Sequence, residues 1–226
     1  MFERKILFTE DGSQSIYVEE LNEHYHSIHG AMQESQHIFI NNGLKLCNKR
    51  SLSILEIGFG TGLNALLTLL EANSNDLQID YHCLEKYPLQ AEEYLQLNFG
   101  EINELRSDLL LTQLHECLWE QDVVISHNFT IRKSLVDLVE WLPTRNYDLV
   151  YFDAFAPDKQ PQLWTEQIFR TIFHSINDGG ILSTYCAKGQ VRRNMKAVGF
   201  SIEKKPGPIG KREITLALKN TESKLL

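Results

Sequence analysis

The chain has 226 residues, 42% hydrophobic and 23% charged, and its 22 Lys+Arg against 30 Asp+Glu give a net charge of −8. This is a globular balance, long for one domain and short for two full ones, with enough apolar side chain for a sizeable core. Gly 13 and Pro 6 exclude a collagenous or proline-rich chain, and no apolar run is long enough to span a bilayer.

Residues 1–50 differ from the rest. Short strand-like runs at 6–9 and 15–18 flank the turn signal Asp11-Gly12 and predict a hairpin. The polar, aromatic stretch 23–30 has neither helical nor strand period and reads as ordered loop. A short helix is predicted over 31–39, ending before Asn41-Asn42-Gly43. From Ser51 onward, strand and helix alternate. Strands are predicted at 52–57, 77–84, 123–132 (in two pieces around His127-Asn128), 147–152, 180–185, 200–204 and 212–218. Helices are predicted at 61–70, 88–97, 101–119, 134–141, 164–176 and 189–198. Helix-length crossovers imply an α/β fold with a mostly parallel sheet covered on both faces. The expected organisation is one domain: an N-terminal β-rich elaboration (1–50), a core (51–220) and a polar tail (221–226).

Cys47, Cys83, Cys117 and Cys186 are far apart and include no C-x-x-C pair. Structural zinc is not expected, and disulfides are not needed at this size. No signal peptide is read at the start, where acid and glycine interrupt before an apolar stretch forms. The expected compartment is the reducing cytoplasm, with no membrane partner. The charge is uneven: residues 188–219 hold nine basic side chains and two acidic ones. One face could therefore meet a polyanion, or the segment is a solvated surface.

The sharpest local signal is Glu56-Ile57-Gly58-Phe59-Gly60-Thr61-Gly62-Leu63-Asn64, between the first core strand and a helix. Its G-x-G-x-G spacing lacks the third glycine of a dinucleotide fingerprint, since position 63 is Leu, and it lacks the Gly-Lys-Ser/Thr of a Walker loop. Glu56 suits a cationic ligand such as a sulfonium or an amino-acid ammonium better than a phosphate. The pattern resembles the S-adenosylmethionine loop of class I methyltransferases. Glu85 closes the second core strand, where an acid can accept from both ribose hydroxyls, and is followed by Lys86. Asp153 is the first residue past the apolar run 149–152, beyond the C-terminal edge of the sheet. It opens a loop stiffened by Pro157 and Pro161, with Phe155 and Trp164 as apolar bulk. A carboxylate among aromatics suits a nitrogen nucleophile, whose proton it can hold while the lone pair is aligned. Cys186 follows no proline and reads as a packing residue.

Together these segments resemble the tRNA 5-aminomethyl-(2-thio)uridine methyltransferase family, the methyltransferase component of the bifunctional wobble-uridine enzyme MnmC in its stand-alone form. The resemblance rests on the glycine loop, Glu85-Lys86-Tyr87-Pro88-Leu89, Asp153-Ala154-Phe155-Ala156-Pro157-Asp158-Lys159, Trp164-Thr165 and Gly210-Lys211-Arg212-Glu213. It implies a Rossmann-like class I fold and S-adenosylmethionine as methyl donor. It also implies transfer to the exocyclic amine of 5-aminomethyl-(2-thio)uridine at the tRNA wobble position. The implied cofactor residues are Glu56, Gly58, Gly60, Gly62, Asn64, Glu85 and Lys86, with Ser134 standing where relatives often carry an adenine-binding acid. Asp153 is the implied catalytic residue, with Phe155, Pro157 and Trp164 at the substrate. Arg192, Arg193, Lys211 and Arg212 are implied to meet phosphates of the anticodon arm. No flavin or metal is expected in this polypeptide, so the aminomethyl substrate would come from a separate oxidase or another pathway. Two other readings stay open: transfer to a small free amine by a methyl- or aminopropyl-transferring enzyme, and a non-catalytic nucleotide-binding protein that kept the fold.

Overall fold

A computed structural model describes residues 3–99 and 107–221. The N-terminal segment forms a separate three-stranded antiparallel sheet of β1 (Arg4–Phe8), β2 (Gln14–Val18) and β3 (Glu23–His24). Helix α1 (Ala31–Ser35) runs into a π-helical turn at Gln36–Asn41. The predicted hairpin is present, but the stretch read as loop from residue 23 supplies its third strand.

The main sheet contains β4 (Ser51–Ile57), β5 (Gln78–Glu85), β6 (Asp122–Ser126), β7 (Phe129–Leu135), β8 (Tyr147–Phe152), β9 (Ile176–Thr184), β10 (Ser201–Pro206) and β11 (Glu213–Leu218). Their order is β10-β11-β9-β8-β4-β5-β7-β6. The central strands β9, β8, β4, β5 and β7 are parallel, and antiparallel pairs close both edges. The helices are α2 (Leu63–Asn75), α3 (Ala91–Tyr94), α4 (Ser107–Glu116), α5 (Glu166–Ser175) and α6 (Gly189–Ala197). Buried apolar side chains form two clusters, one containing α2, β5 and the π-helical turn, the other containing β8, α5 and α6. Covering both sheet faces explains why β8 is an almost unbroken apolar run, with Leu149, Val150, Tyr151 and Phe152 all buried.

The predicted helices change in places, and of 88–97 only Ala91–Tyr94 is α-helical. Residues 134–141 contain no helix: β7 continues through Ser134 and Leu135, paired in parallel with β5, and a turn follows. The helix predicted over 101–119 is described only from 107 onward, as α4; its first residues lie outside the described part of the chain. The C-terminal end of α4 is held by Lys133, a fully buried lysine whose amine donates to the carbonyls of Leu114 (2.9 Å) and His115 (2.5 Å). A cation there meets the unpaired carbonyls of the last helical turn. His115 Nε2 in turn donates to the Thr61 carbonyl at 3.0 Å, so α4 braces the glycine loop.

The chain runs outward from β4 to β5 and β7 on one side, then returns to place β8 and β9 on the other. The order therefore reverses between β4 and β8. In open parallel sheets the cleft beyond such a reversal is where ligands bind. All four cysteines are free. Among the described residues no helix is long and apolar enough to cross a membrane.

Candidate functional site

A cavity opens at that reversal. The ends of β4, β5 and β8 supply Gly58, Glu85 and Asp153, and the N-terminal segment closes over them with Tyr25, His26 and Glu34. The loop after β4 is tied to β5, because the amides of Gly58 and Phe59 both donate to the Leu84 carbonyl (3.0 and 3.3 Å). Gly58, Gly60 and Gly62 all have positive φ. Gly58 is the most constrained: with φ +86°, a Cβ there would stand 2.9 Å from the Asp153 carbonyl oxygen. Glycine at 58 is thus what lets the two strand ends lie together.

Glu85 is already engaged. One oxygen accepts from the Gly60 amide (3.0 Å) and the other from the Tyr87 amide (2.7 Å), so it fixes the loop while facing the cavity. Each carboxylate oxygen keeps a second lone pair for a ligand hydroxyl. Asn64, on the first turn of α2, points its Nδ2 at Asp153 Oδ2 (2.8 Å). Asp153 is half-buried in the cavity wall. Burial pushes its carboxyl up to about 7, against the lowering effect of the Asn64 donor; the Glu34 charge adds to the rise and Lys211 opposes it. Phe155 stands beside it, with Tyr25 edge-on at 5.1 Å, and Tyr185 adds a third ring while its hydroxyl donates to the Ala154 carbonyl (2.8 Å). Buried His26 shares a 2.7 Å hydrogen bond with Thr61, joining the N-terminal segment to the glycine loop, and burial takes its pKa down to about 4.

Several residues expected at the site lie elsewhere. Glu56 is fully buried beneath the loop and does not line the cavity. Strand alternation puts its side chain on the sheet face packed by α2, where Asn64 and Tyr81 face it. Ser134 is inside β7, where its hydroxyl meets His82 Nε2 at 3.0 Å. Asp137, three residues on, lines the cavity instead and pairs with Lys86 Nζ at 2.6 Å. Burial alone would raise the Asp137 carboxyl, but Lys86 and the Val139 amide outweigh it and lower its pKa. Trp164 is 3% exposed in the core, and its Nε1 donates to the Phe155 carbonyl (2.8 Å), so it supports the Asp153 loop from behind. Pro157 is absent from the cavity wall, to which that loop contributes Ala154, Phe155 and Ala156 and, further on, Gln160, Gln162 and Leu163.

The basic segment divides in the same way. Arg192 is 9% exposed, and its guanidinium bonds Thr215, Glu213 and the Ile214 carbonyl; it locks α6 onto β11 and has no face for a phosphate. Lys211 reaches the cavity, 2.9 Å from Glu34 and over the Tyr185 ring. Arg193 and Arg212 are exposed. Arg212 and Lys204 line a shallow depression that shares Tyr185 and Lys211 with the main cavity.

Sequence reasoning missed Tyr25, Glu34, Asp137 and Tyr185. Asp137 carries a usable signal, since like Glu85 and Asp153 it is an acid close to the end of a core strand. Tyr25 and Glu34 carry none, because only tertiary packing brings the N-terminal segment and α1 over the sheet edge.

The description "S-adenosyl-L-methionine-dependent methyltransferase" belongs to the family that matches residues 80–220. The bifunctional tRNA 5-methylaminomethyl-2-thiouridine biosynthesis protein MnmC of Cupriavidus necator is 31% identical over 209 residues, covering 85% of this chain and 31% of that protein. Its counterpart in a Marinomonas species is 28% identical over 95% of this chain and 33% of its own length. This chain thus spans about a third of the curated relatives it matches. Among solved structures, MnmC2 from Aquifex aeolicus superposes with a TM-score of 0.82 at 26% identity, over 98% of this chain and 72% of that one. Spermidine synthase from Thermotoga maritima shares the fold, with a TM-score of 0.63 at 13% identity over 98% of this chain and 71% of that one. The glycine loop, the strand-end acids and the matched residues place one conclusion on the chain: it belongs to this S-adenosyl-L-methionine-dependent methyltransferase family.

Proposed function

We propose that this chain transfers a methyl group from S-adenosylmethionine to the exocyclic amine of 5-aminomethyl-(2-thio)uridine at the tRNA wobble position, giving 5-methylaminomethyl-(2-thio)uridine. The observation that carries the reading is Asp153: a half-buried carboxylate, steered by Asn64, beside the glycine loop and faced by aromatic rings. The relatives' names, which place them in tRNA 5-methylaminomethyl-2-thiouridine biosynthesis, support the same reaction. The site suits the donor. Glycine at 58 lets the loop and the Asp153 strand end close on one cavity, Glu85 offers lone pairs to ribose hydroxyls, and Asp137 with Lys86 offers an acceptor to the adenine amine. When bound, S-adenosylmethionine supplies a methyl group on a positively charged sulfur.

The substrate amine is mostly protonated near neutral pH and cannot attack in that form. Asp153 binds the ammonium, and once the proton leaves to water it keeps the neutral amine aligned. Tyr25, Phe155 and Tyr185 give a flat base apolar walls and exclude water from the amine. Arg193, Arg212 and Lys204 are the side chains available for anticodon-arm phosphates, and Lys211 stands at the junction between them and the base. The protein works in the cytoplasm, and an upstream oxidase or aminomethyl-forming pathway supplies the aminomethyl group.

Transfer to a small free amine is favoured by one observation: Arg192 and Lys211, two of the basic residues expected on phosphates, are bonded inside the protein. The deciding experiment incubates the purified chain and labelled S-adenosylmethionine with tRNA carrying 5-aminomethyl-2-thiouridine, and separately with free polyamines. Nucleoside mass spectrometry should find the methylaminomethyl product in tRNA. Label in polyamines with unmodified tRNA would select the small-amine reading, and label in neither would reject both.

A further inference from the structure

Glu56 stands directly before the glycine loop, yet it is 0% exposed and neither carboxyl oxygen has a hydrogen-bond partner. Two other buried polar atoms without partners belong to the side chains that face it: Asn64 Oδ1, on α2, and the Tyr81 hydroxyl, on β5. They lie within interaction range of Glu56 without meeting hydrogen-bond geometry. A buried polar group left unpaired is costly, so such a cluster calls for an account.

Donor counting supplies one. With Glu56 ionised, its two oxygens and the Asn64 carbonyl oxygen are acceptors, and the Tyr81 hydroxyl is the single unused donor among these orphaned atoms. A proton on Glu56 adds a second donor. The neighbouring charges point the same way. Asp153, past the end of β8, and Glu85, at the end of β5, are the charged groups that act on Glu56, and both are negative. Burial is the largest influence and pushes the Glu56 carboxyl well above its ordinary range, with Asn64 and Tyr81 opposing it and Asp153 adding to it. Asn64 connects the two carboxyls, because it faces Glu56 and donates to Asp153 at 2.8 Å.

We propose that Glu56 is a positioning residue that works as a buried neutral acid, holding the Asn64 amide in register and leaving the charge of the carboxyl pair on Asp153. Two ionised carboxylates flanking one amide would repel each other and compete for its N–H groups. A neutral Glu56 removes that competition, and Asn64 stays committed to the carboxylate that meets the substrate amine. The role of Asp153 in this inference rests on the proposed function; the protonation of Glu56 does not.

The test compares Glu56→Gln with Glu56→Leu. Gln carries one donor and one acceptor end, as the protonated acid does, and should keep the cofactor affinity and single-turnover rate of the parent. Leu removes both ends and should lower the rate by up to roughly 10²-fold, the scale of a misplaced catalytic group. Its affinity for S-adenosylmethionine should hold, and the Asp153 carboxyl, followed by 13C NMR titration, should shift upward as Asn64 loosens. Infrared difference spectra of the parent at alkaline pH, where Asp153 is ionised, should show a protonated carboxylic acid band that Glu56→Gln removes. A tenfold loss of cofactor affinity in Glu56→Gln would make Glu56 a carboxylate for the donor's ammonium and overturn the proposal. So would a missing band, or a Leu variant with parental rate and Asp153 titration. If the Leu variant does not fold, the Gln variant and the infrared band still decide. If the parent methylates no tRNA, the proposed function fails, while the band and the titration continue to judge Glu56.

Discussion

The sheet edge and the C-terminal basic segment make an instructive pair. At the edge, Gly58, Glu85 and Asp153 come from three strands far apart in sequence and meet in one cavity. In the basic segment, neighbours in sequence are separated by function: Arg192 is spent on Glu213 and Thr215, while Arg193, one residue later, faces solvent. Lys211 turns inward to Glu34, and Arg212 turns outward. Parallel strands deliver their C-terminal residues to one edge whatever lies between them. A helix points successive residues about 100° apart, and a hairpin turn likewise aims neighbours in different directions. Charge counted along the chain therefore says little about charge available to a partner.

The comparison breaks most readily at Gly58. Gly58→Ala adds strain at φ +86° and a Cβ against the Asp153 backbone, so turnover should drop about 10²-fold, as for other small displacements of a reacting group. Rates near the parent's would show that the two strand ends need not touch. Glu85→Ala comes next. It removes an acceptor for ribose and the tether of the Gly60 amide, and each hydrogen bond to a charged group is worth about 1.5–3 kcal/mol. Calorimetry should show at least about tenfold weaker S-adenosylmethionine binding, and unchanged affinity would remove Glu85 from the site. The basic segment gives the smallest effects and the sharpest contrast. Arg192→Ala should cost about 1.5–3 kcal/mol of unfolding free energy in urea, whereas Arg193→Ala should stay within about 0.5 kcal/mol. Replacing Arg193 and Arg212 together should instead weaken tRNA binding and reduce its salt slope by about two. A destabilised Arg193 variant, or a salt slope carried by Arg192, would invert the division.

Much of this was legible in the sequence where local pattern and topology agree. The apolar run Tyr147–Phe152 forms β8 with the same bounds. The glycine loop and Asp153 were readable because parallel sheets bind ligands at a defined edge. Positions decided by packing were not. Residues 134–141 carry helix-compatible side chains, but pairing with β5 extends β7 through Leu135. Trp164 was read as a substrate contact because its aromatic character cannot distinguish a cavity wall from the core behind it. Arg192 offered a clue in its spacing, three residues from buried Met195 on the inner face of α6. Glu56 had one too: a residue on a central strand buried on both faces has little route to solvent.

The central claim is that Asp153, as a carboxylate, prepares an amine for methyl transfer. Burial holds its carboxyl at about 7, so the ionised form is lost as pH falls through that value, and the parent rate should fall with it. Single-turnover methylation of tRNA bearing 5-aminomethyl-2-thiouridine, with saturating S-adenosylmethionine, should be measured across pH for the parent and for Asp153→Asn. At neutral pH the variant should be slower by roughly 10²–10⁴-fold with cofactor affinity intact. Its deficit should shrink at alkaline pH, where more of the amine is already neutral. Near-parental rates for Asp153→Asn at neutral pH, or a deficit that does not change with pH, would contradict the account.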